Sequence, residues 1–310
     1  MSKPELSLVV PVYNEEETVG LFVSTIEKLL KPITSCYEYI FVNDGSRDGT
    51  FAVLKELCKE NDRIKIIDLS RNFGKELAIT AGLDYASGDA AIPIDCDFQD
   101  PPELIVEMYH KWKEGADVVL ARRIDRTSDS VIKRLTSSFF YKLIDKIADI
   151  EIPNNVGDFR LIDRKVIDVI KQYPERARFM KGIFASVGFK QVTVDYTRPK
   201  RSAGVTSLGY LRLYKLAIEG IVSFTSIPLK LWSYVGASVS IFSFIYGGYL
   251  IVRTLFWGGD VPGYASIMVV LLFMSGLILL SLGVIGEYLS RIFIEVKQRP
   301  SYIVMEKVGF

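Results

Sequence analysis

The sequence has little of what several common enzyme classes require. It contains one histidine, His110, and three cysteines, Cys36, Cys58 and Cys96, without Cys-x-x-Cys spacing. We therefore expect no histidine base, no histidine-rich metal site and no secreted disulfide framework, and the cysteine usage fits a reducing compartment. Residues 1–5 are polar and lack the apolar core of a signal peptide.

Two nucleotide-binding fingerprints and any excess of charge are also missing. No Gly-x-Gly-x-x-Gly follows the first apolar run, and no Gly-x-x-x-x-Gly-Lys-Ser/Thr occurs anywhere in the sequence. These absences argue against a hydride-transfer enzyme and a P-loop ATPase. The 38 basic and 37 acidic residues nearly balance, so the composition predicts no nucleic-acid partner.

Apolar residues are abundant and follow two regular patterns in the first two thirds of the chain. Hydrophobic residues make up 49% of the sequence. Strand-like runs at 6–12, 37–42, 64–69, 90–94 and 118–121 alternate with segments of helical spacing, and residues 190–196 form a later strand-like run. This alternation predicts right-handed crossovers and an α/β fold with a mostly parallel sheet.

The apolar run at 90–94 ends in the acidic stretch Asp95-Cys96-Asp97-Phe98-Gln99-Asp100. Two carboxylates one residue apart, at the carboxyl end of a parallel strand, can hold a hard divalent cation and leave positions for a phosphate-bearing substrate. The alternative is an acidic turn that caps the next helix near Asp100. Polar loops around Asn14, Asp44 and Arg71 should emerge at the same sheet edge, which favours a binding site.

Four motifs in order carry a family resemblance: Pro11-Val12-Tyr13-Asn14-Glu15-Glu16, Val42-Asn43-Asp44-Gly45-Ser46-Arg47-Asp48-Gly49-Thr50, Ser70-Arg71-Asn72-Phe73-Gly74-Lys75-Glu76 and Asp95-Cys96-Asp97-Phe98-Gln99-Asp100-Pro101-Pro102. As a set they resemble the inverting GT-A glycosyltransferases of family 2, specifically the polyprenyl-phosphate branch. The resemblance implies a GT-A domain that binds a nucleotide sugar. It implies donor contacts from Pro11, Tyr13, Asn14, Glu15, Asp44, Arg71, Lys75, Asp95, Cys96 and Asp97.

The same resemblance implies a metal cofactor, Mg²⁺ or Mn²⁺, held by Asp95, Asp97 and Gln99. It places Asp44 near the base or ribose of the donor and Asp95 near the ribose or the metal. The chemistry agrees with this assignment, because a departing nucleoside diphosphate develops negative charge that a divalent ion can neutralise.

Two further segments resemble the acceptor side of the family. Asn154-Asn155-Val156-Gly157-Asp158-Phe159-Arg160-Leu161 resembles a Gly-Asp-Phe-Arg segment whose aspartate faces the acceptor. A phosphate monoester is already largely dianionic at neutral pH, so we expect Asp158 to orient or couple the reactants more than to act as a base. The alternative is a loop aspartate paired with Arg160.

The basic segment Arg198-Pro199-Lys200-Arg201-Ser202-Ala203-Gly204-Val205-Thr206-Ser207 resembles the family's flexible loop over the diphosphate and the lipid phosphate. The resemblance implies catalytic roles for Arg198 and Arg201, whose guanidinium forks suit phosphate oxygens. It implies acceptor-phosphate contacts from Arg160, Arg198, Arg201 and Ser207. The alternatives are a solvated basic loop and a positive membrane-surface cluster.

Later segments indicate a membrane. Residues 131–147 and 206–226 read as basic amphipathic helices at the interface, although a helix packed against a core would show a similar pattern. Residues 231–252 and 264–285 are two uncharged runs, each long enough to span a bilayer. The predicted organisation is a catalytic domain at 1–205, an interfacial helix at 206–226, a two-helix transmembrane hairpin within 227–290 and a tail at 291–310.

The positive-inside rule predicts that the catalytic domain and both termini face the cytoplasm of a bacterial inner membrane. Through its paired spans the chain resembles bacterial bactoprenol-phosphate glucosyltransferases more than eukaryotic dolichol-phosphate mannosyltransferases. The resemblance implies inverting transfer of glucose from UDP-glucose to undecaprenyl phosphate by a metal-dependent hexosyltransferase. Use of GDP-mannose and transfer to another lipid stay open as alternatives, as does assembly into a homo-oligomer.

Two other classes are disfavoured. A processive polysaccharide synthase would carry a Gln-x-x-Arg-Trp motif, and the nearest approach, Gln172-Tyr173-Pro174-Glu175-Arg176, lacks the tryptophan. A non-catalytic anchor or nucleotide sensor would tolerate loss of the site carboxylates, yet Asp44, Asp95, Asp97 and Asp158 are all present.

Overall fold

The computed structural model describes residues 3–124, 156–173, 175, 180–197, 227–257 and 263–310. The chain divides into two compact units. One unit contains Met1–Asp145, Ile150–Leu208 and Arg299–Phe310, and the other contains Lys146–Asp149 and Gly209–Gln298. The first unit holds the sheet and the second holds the long apolar helices.

The first unit is built on an eight-stranded sheet with the order β7-β5-β6-β4-β1-β2-β3-β8. The strands are β1 (Leu6–Val12), β2 (Tyr37–Asn43), β3 (Ile64–Leu69), β4 (Ala90–Pro93), β5 (Val118–Arg123), β6 (Val156–Asp163), β7 (Gln191–Tyr196) and β8 (Val304–Val308). The helices of this unit are α1 (Val19–Leu30), α2 (Thr50–Glu60), α3 (Lys75–Tyr85), α4 (Leu104–Lys113), α5 (Arg164–Lys171) and α6 (Met180–Ser186).

Parallel pairing dominates the sheet. The parallel pairs are β1 with β2, β1 with β4, β2 with β3 and β5 with β7. Strand β6 runs antiparallel between β4 and β5, and β8 runs antiparallel to β3. The predicted α/β fold with a mostly parallel sheet is confirmed.

The central strands read as continuous apolar runs because both of their faces are covered. Side chains alternate between two core clusters. Leu8 and Val10 of β1 pack in one cluster with Phe22 of α1, and Val9 packs in the other with Ile79 of α3. Helices on both faces therefore leave the carboxyl edge of β1 to β4 as the place where the polar loops emerge.

Strands β6 and β8 differ from the sequence-based expectation. Residues 154–161 were expected as a motif without a strand, and residues 291–310 were expected as a tail. Instead, the last residues return to the first unit, where Glu306 lies opposite Asp68 in the β3–β8 pairing. Lys55 pairs with Glu306 at 2.8 Å, and the Tyr302 hydroxyl donates to Asp84 at 2.8 Å. The chain end therefore covers an edge of the sheet.

The second unit contains the helices α7 (Ile227–Trp257) and α8 (Tyr264–Lys297). Both extend beyond the apolar runs at 231–252 and 264–285. Their large apolar side chains are exposed, as in Phe244 at 83% and Leu255 at 77%. Within the part of the chain that the structure describes, one helical stretch, Ser266–Lys297, is long and apolar enough to cross a membrane. The amphipathic helices expected at 131–147 and 206–226 lie outside the described residues.

Candidate active site

The loops after β1 and β2 are joined by hydrogen bonds at the carboxyl edge of the sheet. Asn14, in the left-handed region at φ 58°, accepts a hydrogen bond from the Arg47 amide at 2.8 Å, and its own amide donates to Ser46 Oγ at 3.0 Å. The Gly49 amide donates to Glu16 Oε2 at 2.6 Å. Asn14 therefore holds the two loops together.

Asp44 connects the loop after β2 to the loop after β3, which are called the second and third loops below. Its side chain is buried, and its carboxylate oxygens accept hydrogen bonds from the Phe73 amide at 2.6 Å and the Gly74 amide at 2.9 Å. Burial raises the pKa of the Asp44 carboxyl, while these two amide donors act to lower it. The residue predicted to contact the base or ribose therefore also fixes the loop that leads into α3.

Lys75, the first residue of α3, brings the ends of β4 and β6 together. Its Nζ lies 2.6 Å from Asp95 Oδ2 and 3.2 Å from Asp158 Oδ2. Burial raises the pKa of the Asp95 carboxyl; Lys75 opposes this change, and the charges of Asp97 and Asp158 add to it. Burial disfavours the charge on Lys75, but the two carboxylates raise the pKa of its ammonium. The predicted donor and acceptor aspartates thus share one cation.

Asp97 is exposed and is held by a local turn. Its two carboxylate oxygens accept hydrogen bonds from the Gln99 amide at 3.0 Å and from Gln99 Nε2 at 2.5 Å. Phe98 lies between them at φ 55°, with its ring 6.0 Å from the ring of Phe22. The turn therefore directs Asp97 to solvent while Phe98 packs against the core.

The structure does not support the helix cap that was the alternative at Asp100. The Tyr196 hydroxyl donates to Asp100 Oδ1 at 2.7 Å, and α4 begins at Leu104 with Glu103 as its N-cap residue. The side chain of Cys96 is 2% exposed and packs in the core, where burial raises the pKa of its thiol to about 12. Its Sγ lies 3.6 Å from Thr18 Oγ1, so a donor contact at Cys96 would have to come from the backbone.

The residues present fit a hard divalent cation centred on Asp97. Among the described residues, no group of three or more His, Cys, Asp or Glu side chains is suitable for a metal ion, and the predicted set needs only two carboxylates and an amide. Oxygen ligands of this kind suit Mg²⁺ or Mn²⁺. Rotation of the Gln99 amide would turn its oxygen toward an ion on Asp97. Asp95, in contrast, already pairs with Lys75.

Arg160 was predicted for the acceptor phosphate, but its side chain is buried. It is 3% exposed, donates from Nη2 to the Gly157 carbonyl at 2.5 Å and lies 4.1 Å above the ring of Phe184. Burial lowers the pKa of Arg160 to about 10, and the charges of Asp158 and Glu76 oppose this change. The geometry therefore supports a packing role for Arg160, between β6 and Phe184 and close to Asp158, and argues against direct contact of its side chain with a phosphate.

Of the other predicted residues, three lie in the loops at this edge, one lies in β1 and three lie outside the described residues. Tyr13 is 42% exposed, Arg71 stacks 4.0 Å above Phe73, and Glu15 accepts a hydrogen bond from Thr18 Oγ1 at 2.6 Å. Pro11 is half-buried at the end of β1. Arg198, Arg201 and Ser207 lie outside the described residues. The sequence did not indicate Phe73, Gly74 and Tyr196 as site residues. Phe73 and Gly74 donate backbone amides to Asp44, and Tyr196 contacts Asp100 from β7, which is distant in sequence.

The comparisons with known proteins identify the family. Residues 7–171 match Glycosyl transferase family 2. The chain therefore belongs to glycosyltransferase family 2, and the family and the GT-A type of architecture expected from the motifs are confirmed. Residues 227–292 match the GtrB C-terminal hairpin.

Relatives match this chain over nearly its full length. An uncharacterized glycosyltransferase of Synechocystis sp. is 51% identical, over 98% of this chain and 96% of that protein. The SfII prophage-derived bactoprenol glucosyl transferase of Shigella flexneri is 48% identical, over 97% of each. Among solved structures, a mannosyltransferase of Pyrobaculum calidifontis in complex with GDP-Man and Mn²⁺ is 15% identical, with a TM-score of 0.47 over 96% of this chain and 85% of that one.

Proposed function

We propose that the chain transfers glucose from UDP-glucose to undecaprenyl phosphate with inversion at the anomeric carbon. The observation that carries this proposal is the similarity to a bactoprenol glucosyl transferase over 97% of both chains, which includes both the acidic loops and the apolar hairpin. A shared catalytic domain alone would leave the acceptor open. The hairpin supports an acceptor that is itself held in a bilayer.

The reaction is a direct displacement. An oxygen of the acceptor phosphate attacks the anomeric carbon, the bond from that carbon to the diphosphate breaks on the opposite face, and UDP leaves. Asp97, with Gln99 and Asp95, would hold Mg²⁺ or Mn²⁺, which would neutralise the negative charge of the departing diphosphate. The acceptor phosphate is already deprotonated at neutral pH, so Asp158 orients the reactants and removes no proton.

The contacts of Lys75 support this arrangement. The Lys75 ammonium lies 2.6 Å from Asp95 and 3.2 Å from Asp158, so the loops that carry these residues place the donor-side and acceptor-side carboxylates within a few ångströms of each other. Bringing two reactants together in a fixed geometry is itself a large source of rate enhancement. In the proposal, Arg198 and Arg201 complete the site as phosphate-binding guanidinium groups.

We also assign two membrane spans to α7 and α8, with both chain termini in the cytoplasm. The lengths of these helices and the exposed apolar side chains support spanning, and Arg291, Lys297 and Arg299 follow the second run. In this arrangement the nucleotide-sugar site meets the lipid phosphate at the inner surface of the membrane.

The decisive experiment incubates the purified full chain with undecaprenyl phosphate and, in separate reactions, radiolabelled UDP-glucose and GDP-mannose, followed by organic extraction. We expect label in the lipid fraction only from UDP-glucose, in a product that mild acid hydrolyses to glucose. Label from GDP-mannose would support the mannose alternative and contradict the donor assignment. Label found in water or on protein alone would overturn the lipid acceptor, and a parallel reaction with diacylglycerol tests the glycolipid alternative.

A further inference from the structure

Lys75 occupies the centre of the acidic cluster. Its Nζ contacts Asp95 Oδ2 at 2.6 Å and Asp158 Oδ2 at 3.2 Å, and Asp97 also acts electrostatically on Asp95. These are the carboxylates that the proposed function gives to the metal, donor and acceptor. An ammonium and a divalent cation that share Asp95 repel each other strongly at such distances, since partial burial weakens screening by water.

The backbone around Lys75 is fixed while its side chain keeps room to move. Asp44 accepts hydrogen bonds from the two amides just before it in sequence, those of Phe73 and Gly74. The Lys75 side chain is nevertheless 45% exposed, compared with 29% for Asp95 and 20% for Asp158. A long, flexible side chain on a fixed base can exchange one anionic partner for another without any change in the fold.

We propose that Lys75 is a built-in countercharge that competes with the divalent cation for Asp95 and moves to the donor diphosphate when metal and donor bind together. Without donor, the ammonium neutralises Asp95 and Asp158 and weakens metal binding. With donor, the diphosphate offers the ammonium a new anionic partner and frees Asp95 for the cation. Metal and donor affinities are then coupled through one side chain. This inference rests on the proposed nucleotide-sugar donor but is independent of which sugar or lipid is used.

The test measures Mn²⁺ binding by electron paramagnetic resonance on the purified full chain, with and without UDP, and UDP binding by calorimetry. For Lys75→Gln we expect Mn²⁺ to bind without UDP about tenfold more tightly than to the wild type. In the presence of Mn²⁺, we expect the same variant to bind UDP about tenfold more weakly, because the diphosphate loses its ammonium partner. A variant that is merely damaged would lose affinity in both measurements.

Two control variants sharpen the comparison. Lys75→Arg keeps the charge and should restore the weak Mn²⁺ binding of the wild type without UDP. Lys55→Gln removes a half-exposed lysine of the same unit that pairs with Glu306, and it should change neither affinity. Unchanged or weaker Mn²⁺ binding by Lys75→Gln without UDP would overturn the inference. If Mn²⁺ binding changes as expected but no glucose reaches the lipid, the proposed substrates fail and the countercharge role stands.

Discussion

Individual carboxylates in the site are held in different ways, and this predicts different effects of their replacement. Asp44 is buried under two backbone donors, Asp95 and Asp158 share Lys75, and Asp97 is exposed. Asp44, Asp95 and Asp97 were predicted as site residues because polar motifs follow apolar strands, whereas Asp158 was predicted from the resemblance of its segment to the family. The burial of Cys96 and Arg160 was not predicted, because it depends on packing against Thr18 and Phe184.

Asp97→Asn should reduce transfer by about 100-fold or more, because the amide removes the negative charge that holds a divalent ion against the leaving diphosphate. Stability should change little, since Asp97 is exposed. Turnover and Mn²⁺-dependent UDP binding are the measurements, and Asp62→Asn, an exposed aspartate on another loop, is the matched control. Near-normal turnover of the wild type in EDTA would contradict the metal role.

Asp158→Asn separates orientation from base catalysis. If Asp158 orients the acceptor, the variant should lose about tenfold in turnover, with the same relative loss at every pH, because the amide keeps the size but not the charge. The pH profile of kcat from about pH 6 to about pH 9 is the measurement. Asp195→Asn, which removes an exposed partner of Arg122, controls for a general charge effect. A far larger loss that recovers at high pH would show that Asp158 is a base.

At the scale of elements, local patterns predicted the strands that are continuous apolar or alternating runs in the sequence. Strands β1, β3 and β7 lie within a residue of the expected runs, and continuous apolar stretches account for this. Strand β6 was not predicted, because its pairing with β4 and β5 stabilises it more than its own residue pattern does. It is antiparallel to both in a mostly parallel sheet. Strand β8 was missed because Val304–Val308 carries two charges and gains its structure by pairing with β3, far away in sequence.

The contact between the second and third loops predicts the effect of Gly45→Ala. Gly45 has φ 68°, and an added Cβ would lie 2.6 Å from the backbone of Arg71 and Asn72, which cannot move aside cheaply. Gly115→Ala is a matched control, since Gly115 has φ 94° with nothing within 4 Å of the added atom. We expect Gly45→Ala to cost about 1–3 kcal/mol more in unfolding free energy.

The same change should weaken UDP binding, because separating these loops displaces Asp44 and the start of α3. Thermal unfolding and calorimetric UDP titration on both variants measure the two effects. Equal losses in the two glycine variants would show that backbone conformation alone is responsible and that the close approach of the loops has no importance for the site.

The return of the chain end to the sheet predicts that β8 supports the third loop. The Ser70 amide donates to the Ile303 carbonyl at 3.0 Å, and this loop continues to Lys75. A chain truncated after Arg299 should therefore unfold at lower temperature and bind UDP less tightly, because the β3 edge and Ser70 lose their partners. Met305→Ala, at a side chain 66% exposed on β8, is the control and should change neither the unfolding temperature nor the UDP affinity. Wild-type UDP affinity in the truncated chain would contradict the coupling.

For the whole molecule, charge and hydropathy together predict an orientation. The apolar runs at 231–252 and 264–285 are flanked by Lys230 on one side and by Arg291, Lys297 and Arg299 on the other, whereas the sequence between them has one basic residue, Arg253, directly after the first run. Positive flanks favour the cytoplasmic side. We therefore expect both chain termini to lie on the cytoplasmic side.

An impermeant maleimide tests this orientation, and an exposed native cysteine of the chain serves as a reporter. Cys36 is exposed on the unit that holds the sheet, whereas Cys96 is buried. In a Gly259→Cys variant, intact spheroplasts should be labelled at the thiol introduced between the two spans, while Cys36 should react only after lysis. Comparison with the wild type separates the two signals. Labelling of Cys36 in intact spheroplasts would place the nucleotide-sugar site outside the cytoplasm, where UDP-glucose is absent, and would contradict both the topology and the proposed reaction.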